Sequence, residues 1–210
     1  MRFLIREMPY EKPISNGRWH YADHDGPTGA TEQWRLTAAI NDYRILRIDL
    51  DARAASTGTS YLYHLVLNPL GQPERLNFRL WGPTTTRING RLIFEADGVA
   101  AVREIGPENN ATRHESWLPG AFRWFWIPSA TGLTMIINQA GAGHTLTLDF
   151  DDHLNPQHLP ATVTTSQPNE HGWQPWTATW HNKQRTVWAD AHGRAHRMDR
   201  PDGLYALSKN

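Results

Sequence analysis

The chain contains no cysteine, which removes disulfides, thiolate metal centres and a cysteine nucleophile together. It also lacks an excess of charge of either sign. Lys plus Arg and Asp plus Glu number 21 each, so no bulk field draws phosphate backbones or anionic headgroups, and nucleic acid is not expected as a partner. Long apolar runs are missing as well. The opening MRFLIREMPYEKPISNG has one short apolar patch, Phe3 to Ile5, before Arg6 and Glu7 interrupt it. That is not the tripartite pattern of a secretory signal, and nothing approaches the roughly 18 uncharged apolar residues of a membrane helix. No Gly-rich loop leads from a strand to a helix and no G-x-S-x-G elbow occurs, so no cofactor is expected. These absences point to a cytoplasmic protein with no integral membrane segment. At 210 residues the chain fits one β-barrel-like domain, residues 1–210.

What is present is a succession of short strands punctuated by turn chemistry. WRLTAAI and YRILRIDLDA flank Asn41-Asp42, and in the second run Leu46, Ile48 and Leu50 alternate with Arg47, Asp49 and Asp51, the mark of a half-buried strand. SYLYHLVL and ERLNFRLW flank NPLGQP, where proline and glycine force a turn. TTTRI, RLIFEA and VAAVREI meet at Asn89-Gly90 and Asp97-Gly98, dipeptides that tolerate the positive φ of type I′ hairpins; that register places Arg91 opposite Glu104. PSATGLTMIINQAGAG predicts a helix over residues 129–140, capped by Ser129 and ended at Gly141, although Leu133, Met135 and Ile137 also alternate as a strand would. HTLTLDF, ATVTTS, WTATWHN, RTVWADA, RAHRMDR and GLYALS read as further strands, with DDHLNPQHLP as a connecting loop and His192-Gly193 as a tight turn. The expected fold class is all-β with one or two helices: a strongly curved antiparallel sheet of about a dozen strands, or an incomplete β-barrel wrapping a helix and enclosing an apolar cavity.

Ten tryptophans are the least ordinary feature. A core fills readily with branched aliphatics, and a buried indole needs a partner for its N–H. The excess suits a cavity wall in which large amphipathic plates face an apolar guest while a few polar groups orient it. In AFRWFWIPSA, Phe122, Trp124 and Trp126 face one side of a strand and Arg123, Phe125 and Ile127 the other. Tyr63, Trp117, Trp124 and Trp126 are the candidate wall. His64 in SYLYHLVL, and Arg79 beside Trp81 in RLNFRLW, break apolar strand faces with polar groups, as do Glu95 in RLIFEA and Glu115 in RHESWLP. A solvent-facing strand surface would read the same way. Either glutamate beside His64 or His114 has the chemistry of a general base. The i, i+4 pairs His20/His24 and His192/His196 lie beside turn residues, not in helical patterns, so no metal site is assigned. Asp149, Asp151 and Asp152 cluster at a strand end, where a solvated loop and a glycosidase-type carboxylate pair both remain open.

The stretches YLYHLVLNPLGQPERLNFRLW, TTRINGRLIFEADGVAAVREI and WLPGAFRWFWIPSATGL, with the closing WADAHGRAHRMDRPDGLYAL, resemble the glycolipid-binding family and, more distantly, lipoprotein-carrier-like folds. The resemblance implies an incomplete antiparallel barrel around a helix and an apolar cavity, but no catalytic residue. Such folds also host cofactor-independent enzymes. Three functions are therefore open: binding of a hydrophobic or amphiphilic small molecule, lipid or glycolipid in kind; a cofactor-independent lyase, isomerase or cyclase acting in the same cavity; and a carbohydrate-binding module using exposed rings.

Overall fold

The structure, a computed structural model, describes residues 7–55, 58–82, 87–107, 110–149 and 153–209. Its strands are β1 (Lys12–Asp23), β2 (Gly26–Ala38), β3 (Arg44–Asp51), β4 (Ser60–Leu67), β5 (Pro73–Trp81), β6 (Arg87–Phe94), β7 (Gly98–Ile105), β8 (Thr112–Pro119) and β9 (Trp124–Trp126). After the short helix α1 (Ala130–Leu133) come β10 (Gly141–Asp149), β11 (Asn155–Thr165), β12 (Gln174–Trp180), β13 (Lys183–Ala189), β14 (Ala195–Asp199) and β15 (Tyr205–Lys209). All 15 strands form one sheet in the order β8-β7-β6-β5-β4-β3-β2-β1-β15-β14-β13-β12-β11-β10-β9. Neighbours are antiparallel except β9 and β10.

The order forces curvature. The chain meanders from β1 out to one edge, then starts again at the opposite edge with β9 and works inward until β15 pairs with β1. Only residues 120–123 join the two edge strands, a link that spans at most roughly 18 Å. Laid flat at about 4.8 Å per strand, the edges would stand roughly 67 Å apart. The sheet therefore curls until β8 and β9 face each other across a seam that no strand ladder closes. Side chains and turns bridge it instead. Phe94 of β6 meets Phe122 and Phe125, with ring centres 5.7 and 5.0 Å away, and the Arg103 guanidinium donates to the His153 carbonyl.

Helix α1 sits inside the curl. All four of its residues are buried, and Ser129 caps it by accepting from the Gly132 amide. The helix is shorter than the expected 129–140: a 3-10 turn over Thr134–Ile136 follows, and the chain then turns at Asn138, whose φ is positive. Gly132 sets the close approach, since a Cβ there would lie 2.3 Å from the Ile127 carbonyl oxygen. Gly141 opens β10 and does not end the helix.

Other expectations change too. Asn89-Gly90 is not a turn, for β6 runs straight through it. The glycine is needed for packing: the Phe78 ring lies over it, and a Cβ would come within 2.0 Å of Phe78 Cζ. The register consequently pairs Asn89, not Arg91, with Glu104, and Arg91 faces Val102. DDHLNPQHLP is mostly strand, because β11 begins at Asn155. Residues 84–86 of TTTRI, Phe150, and Asp151 and Asp152 of the acidic cluster lie outside the described residues. The hairpins at 41–42 and 68–72 and the turns at 97–98 and 192–193 form where the sequence places them. β1, for which no strand was expected, occupies the centre of the sheet.

Candidate functional site

The inner face of the curl carries the core: Trp19, Ile48, Tyr63, Leu65, Leu76, Phe78, Ile88, Leu92 and Trp126 are each at most 2 % exposed. Beside the helix the packing opens into a cavity of about 680 Å³, within the range of small-molecule sites. Ala30, Leu50 and Ala52 line it from one arm of the sheet, Leu148, Trp180 and Met198 from the other, and Leu133 from the helix. The hollow exists partly because alanines stand on β2 and just after β3, where larger side chains would fill it.

Below this apolar lining lies a fixed polar centre. Glu32 of β2 is fully buried, and donors surround its carboxylate. Tyr21 Oη lies 2.6 Å and Tyr61 Oη 3.2 Å from Oε2; the Ala130 amide donates to Oε2 at 3.2 Å and the Thr131 amide to Oε1 at 2.8 Å. The carboxylate thus satisfies the free N–H groups that every helix start leaves over. Trp19 completes the dock, its indole N–H donating to Thr131 Oγ1 at 3.1 Å. Burial, then the negative Glu32, push the Tyr21 hydroxyl well above its ordinary pKa; burial likewise raises Tyr61 and Tyr63. All three therefore keep their protons at neutral pH.

Charge collects at the mouth. Lys183 and Arg185 of β13 and Arg200 after β14 line it beside Asp23, His24, Asp149 and Asp202. Lys183 Nζ lies 2.7 Å from Asp149, which also accepts from Gln157. Arg185 sits over the Trp180 ring, 5.9 Å from its centre. Arg200 grips Asp202, and its hydrogen bonds and charge hold that carboxyl below its usual range although burial acts to raise it. Asp23, His24 and Asp25 bring one ligand atom each within 4.8 Å on the β1–β2 turn; they are mostly exposed, and the Asp25 amide already bonds Asp23.

The residues singled out in the sequence divide between two faces. Tyr63, Trp124 and Trp126 point into the packed interior. Trp124 donates to the Gln139 carbonyl and carries Arg123 over its ring at 4.8 Å; Trp126 packs edge-on against Trp180 with ring centres 5.0 Å apart. His64, Arg79, Trp81, Glu115 and Trp117 share the outer face of β4, β5 and β8, and Glu95 is exposed in the β6–β7 turn. His64 and Arg79 line a separate groove there. Trp180, the cations of β13 and Arg200, which do line the inner cavity, carried no signal that set them apart, for WTATWHN, RTVWADA and RAHRMDR read as ordinary strands. His20 and His192 do not share a helix with His24 and His196; His196 instead stacks on Trp173 at 4.7 Å and contacts Asp190 at 3.0 Å.

Comparison with known proteins bears on the fold. The chain is similar to a solved β-barrel-like protein of a domain of unknown function (DUF1849) from Brucella abortus, with a TM-score of 0.52, 11 % identity, and coverage of 94 % of this chain and 97 % of that one. No protein-family model and no curated protein matches the sequence. The likeness supports a β-barrel-like fold and, at that identity, nothing about chemistry. Among the described residues, no helix is long and apolar enough to cross a membrane.

Proposed function

We propose that the protein binds a small amphiphile, its apolar part in the inner cavity and an anionic head group at the mouth. The observation that carries this reading is the polarity gradient of one hollow: alanine, leucine, methionine and indole inside, with Lys183, Arg185 and Arg200 at the opening. Burying an aliphatic chain on such a lining is worth about 0.8 kcal/mol per methylene. Lys183 is paired with Asp149 and Arg200 with Asp202, acids of the same rim, so an anionic head group competes for them without leaving a charge stranded in the interior. Glu32 and the tyrosines belong to this reading as a rigid floor, and Trp124 and Trp126 as the packing behind Trp180. Residues 1–210 then act as one binding domain.

Two ligands test it: dodecanoate and the uncharged dodecanol, each titrated by isothermal calorimetry into protein stripped of lipid. Ala52→Trp is expected to abolish binding of both, and Arg200→Gln to weaken dodecanoate about tenfold while leaving dodecanol within about twofold. Equal affinity of wild type and Ala52→Trp for dodecanoate would overturn the proposal. An unchanged dodecanoate affinity in Arg200→Gln would remove the head-group assignment.

A further inference from the structure

A second concavity of about 680 Å³ lies on the opposite, outer face of the sheet over β4–β8, and the registry of those strands dictates what it displays. One row across the strands reads Leu62, Arg79, Asn89, Glu104, Arg113; the next, one pleat along, reads His64, Asn77, Arg91, Val102, Glu115. Strands lie about 4.8 Å apart and successive same-face residues about 6.7 Å apart, so these groups form a compact polar patch. Arg113 and Glu115 pair with each other, but other groups of the patch are unmet. Arg79 is exposed and has no hydrogen-bond or ion-pair partner among the described residues, and Arg91 spends only its Nε, on Asn77 Oδ1 at 3.1 Å. The Oδ1 of Asn89 and the Nε2 of His64 are both shielded from solvent and unbonded. Leaving a buried polar atom unpaired is costly, and here two such atoms border the same groove.

Arginine on this face calls for an anion, since its planar fork matches a carboxylate. An anion alone leaves the rest unexplained. Asn89 Oδ1 and the Glu104 carboxylate are acceptors, so the same ligand must also bring donors, and hydroxyl groups are the neutral donors that tolerate a half-wet groove. Ile93, 41 % exposed, and Trp117, 44 % exposed, lie in the next row along and offer apolar surface to a C–H face. We propose that this groove is a binding site for a hydroxylated carboxylate of the sugar-acid type: Arg79 and Arg91 receive the carboxylate, and Asn89 and Glu104 accept from ring hydroxyls. His64 completes the set. Burial first, then the charges of Arg47 and Arg75, bring it down to a pKa of about 4, so at neutral pH its ring is uncharged and can donate or accept. The site is separate from the inner cavity, with the sheet between them, and stands or falls without it.

The test uses three probes that divide the chemistry: glucuronate, glucose and acetate, followed by backbone and arginine side-chain NMR of the full chain. Glucuronate is expected to shift signals of residues 77–113 and to bind at least about tenfold more tightly than either of the others, because each half of the site contributes. Arg79→Gln, an exposed substitution whose fold near-ultraviolet circular dichroism checks, is expected to lose about tenfold for glucuronate; Arg79→Lys recovers part of it. Absence of shifts at about 10 mM glucuronate, acetate binding as tightly as glucuronate, or full affinity in Arg79→Gln would each overturn the proposal.

Discussion

Glu11 and His64 show what single side chains contribute on the outer face. Glu11 forms a two-point ion pair with Arg47 of β3, at 2.6 and 2.7 Å, and accepts from Thr37 of β2; all three are buried. Burial alone would raise the Glu11 carboxyl, yet the Arg47 and Thr37 hydrogen bonds overcome it and hold it at about 2. His64 is Arg47's neighbour across the strands, and its pKa falls from 6.5 to about 4. Both groups have folded values below their unfolded ones, so both stabilise at neutral pH and both fail in acid. The His64 contribution is complete above pH 6.5 and drains as the pH drops through about 4, whereas that of Glu11 is complete above 4.5 and drains towards about 2. Loss of stability through His64 is therefore expected to begin before the Glu11 carboxylate titrates. His20 shifts the same way through burial and the charges of Lys209 and Arg18. His64→Gln should accordingly flatten, without abolishing, the fall in urea midpoint between pH 7 and 5. An unchanged slope in that variant would refute the assignment. His64 was legible in the sequence as a polar break in an apolar face; its unfilled hydrogen bond was not, because that depends on Arg47 and Asn77 arriving from neighbouring strands.

At the scale of elements, alternation and turn residues recovered most strands, and they failed where tertiary packing used a turn-like residue for something else. Gly90 is the clearest case. Asn-Gly is the strongest short hairpin signal, but here glycine makes room for the Phe78 ring, itself only 2 % exposed and unable to retreat. Gly90→Ala is therefore expected to cost about 1–3 kcal/mol in chemical denaturation, and Phe78→Leu in the same chain should restore part of it, as coupled neighbours do. A hairpin turn would give additive losses. β11 fits proline for a different reason: its prolines suggested a loop, but the β12 ladder starts only at Ala161, so Pro156 and Pro160 stand where β11 has β10 as its single neighbour, an edge position that tolerates a residue without an N–H. Helix α1 was visible through its cap. Its real anchor was invisible, since Glu32 lies 98 residues from Ala130 in sequence and reads, within TEQWRL, as a polar residue on a surface strand.

For the molecule as a whole, the decisive contact is the pairing of Arg18 with Lys209 through Ala22 with Tyr205, which welds two arms into one sheet. Both flanks of the weld are buried, with Tyr21 opposite Ala206 and Ala206 opposite Met198. Without β15 the arms keep their own ladders but, among the described residues, share no strand ladder. A chain ended after Gly203 is expected to lose the near-ultraviolet signal of its packed indoles and to associate through its bare edges. Monomeric protein with the full signal and a single cooperative transition would contradict this. The curled, helix-filled sheet was foreseeable from strand number and turn spacing; the two-armed order was not, because alternation says which face a residue takes and nothing about which strand stands beside it.

That weld also fixes a timetable for synthesis. β1 can pair with β2 as soon as both have been made, but its other edge waits for β15, with every other strand of the sheet made in between, so the nascent chain carries β1 with one edge open for most of that interval. Whatever shelters that strand in the cell, whether a chaperone or a temporary partner within the growing chain, must let go when residues 205–209 emerge.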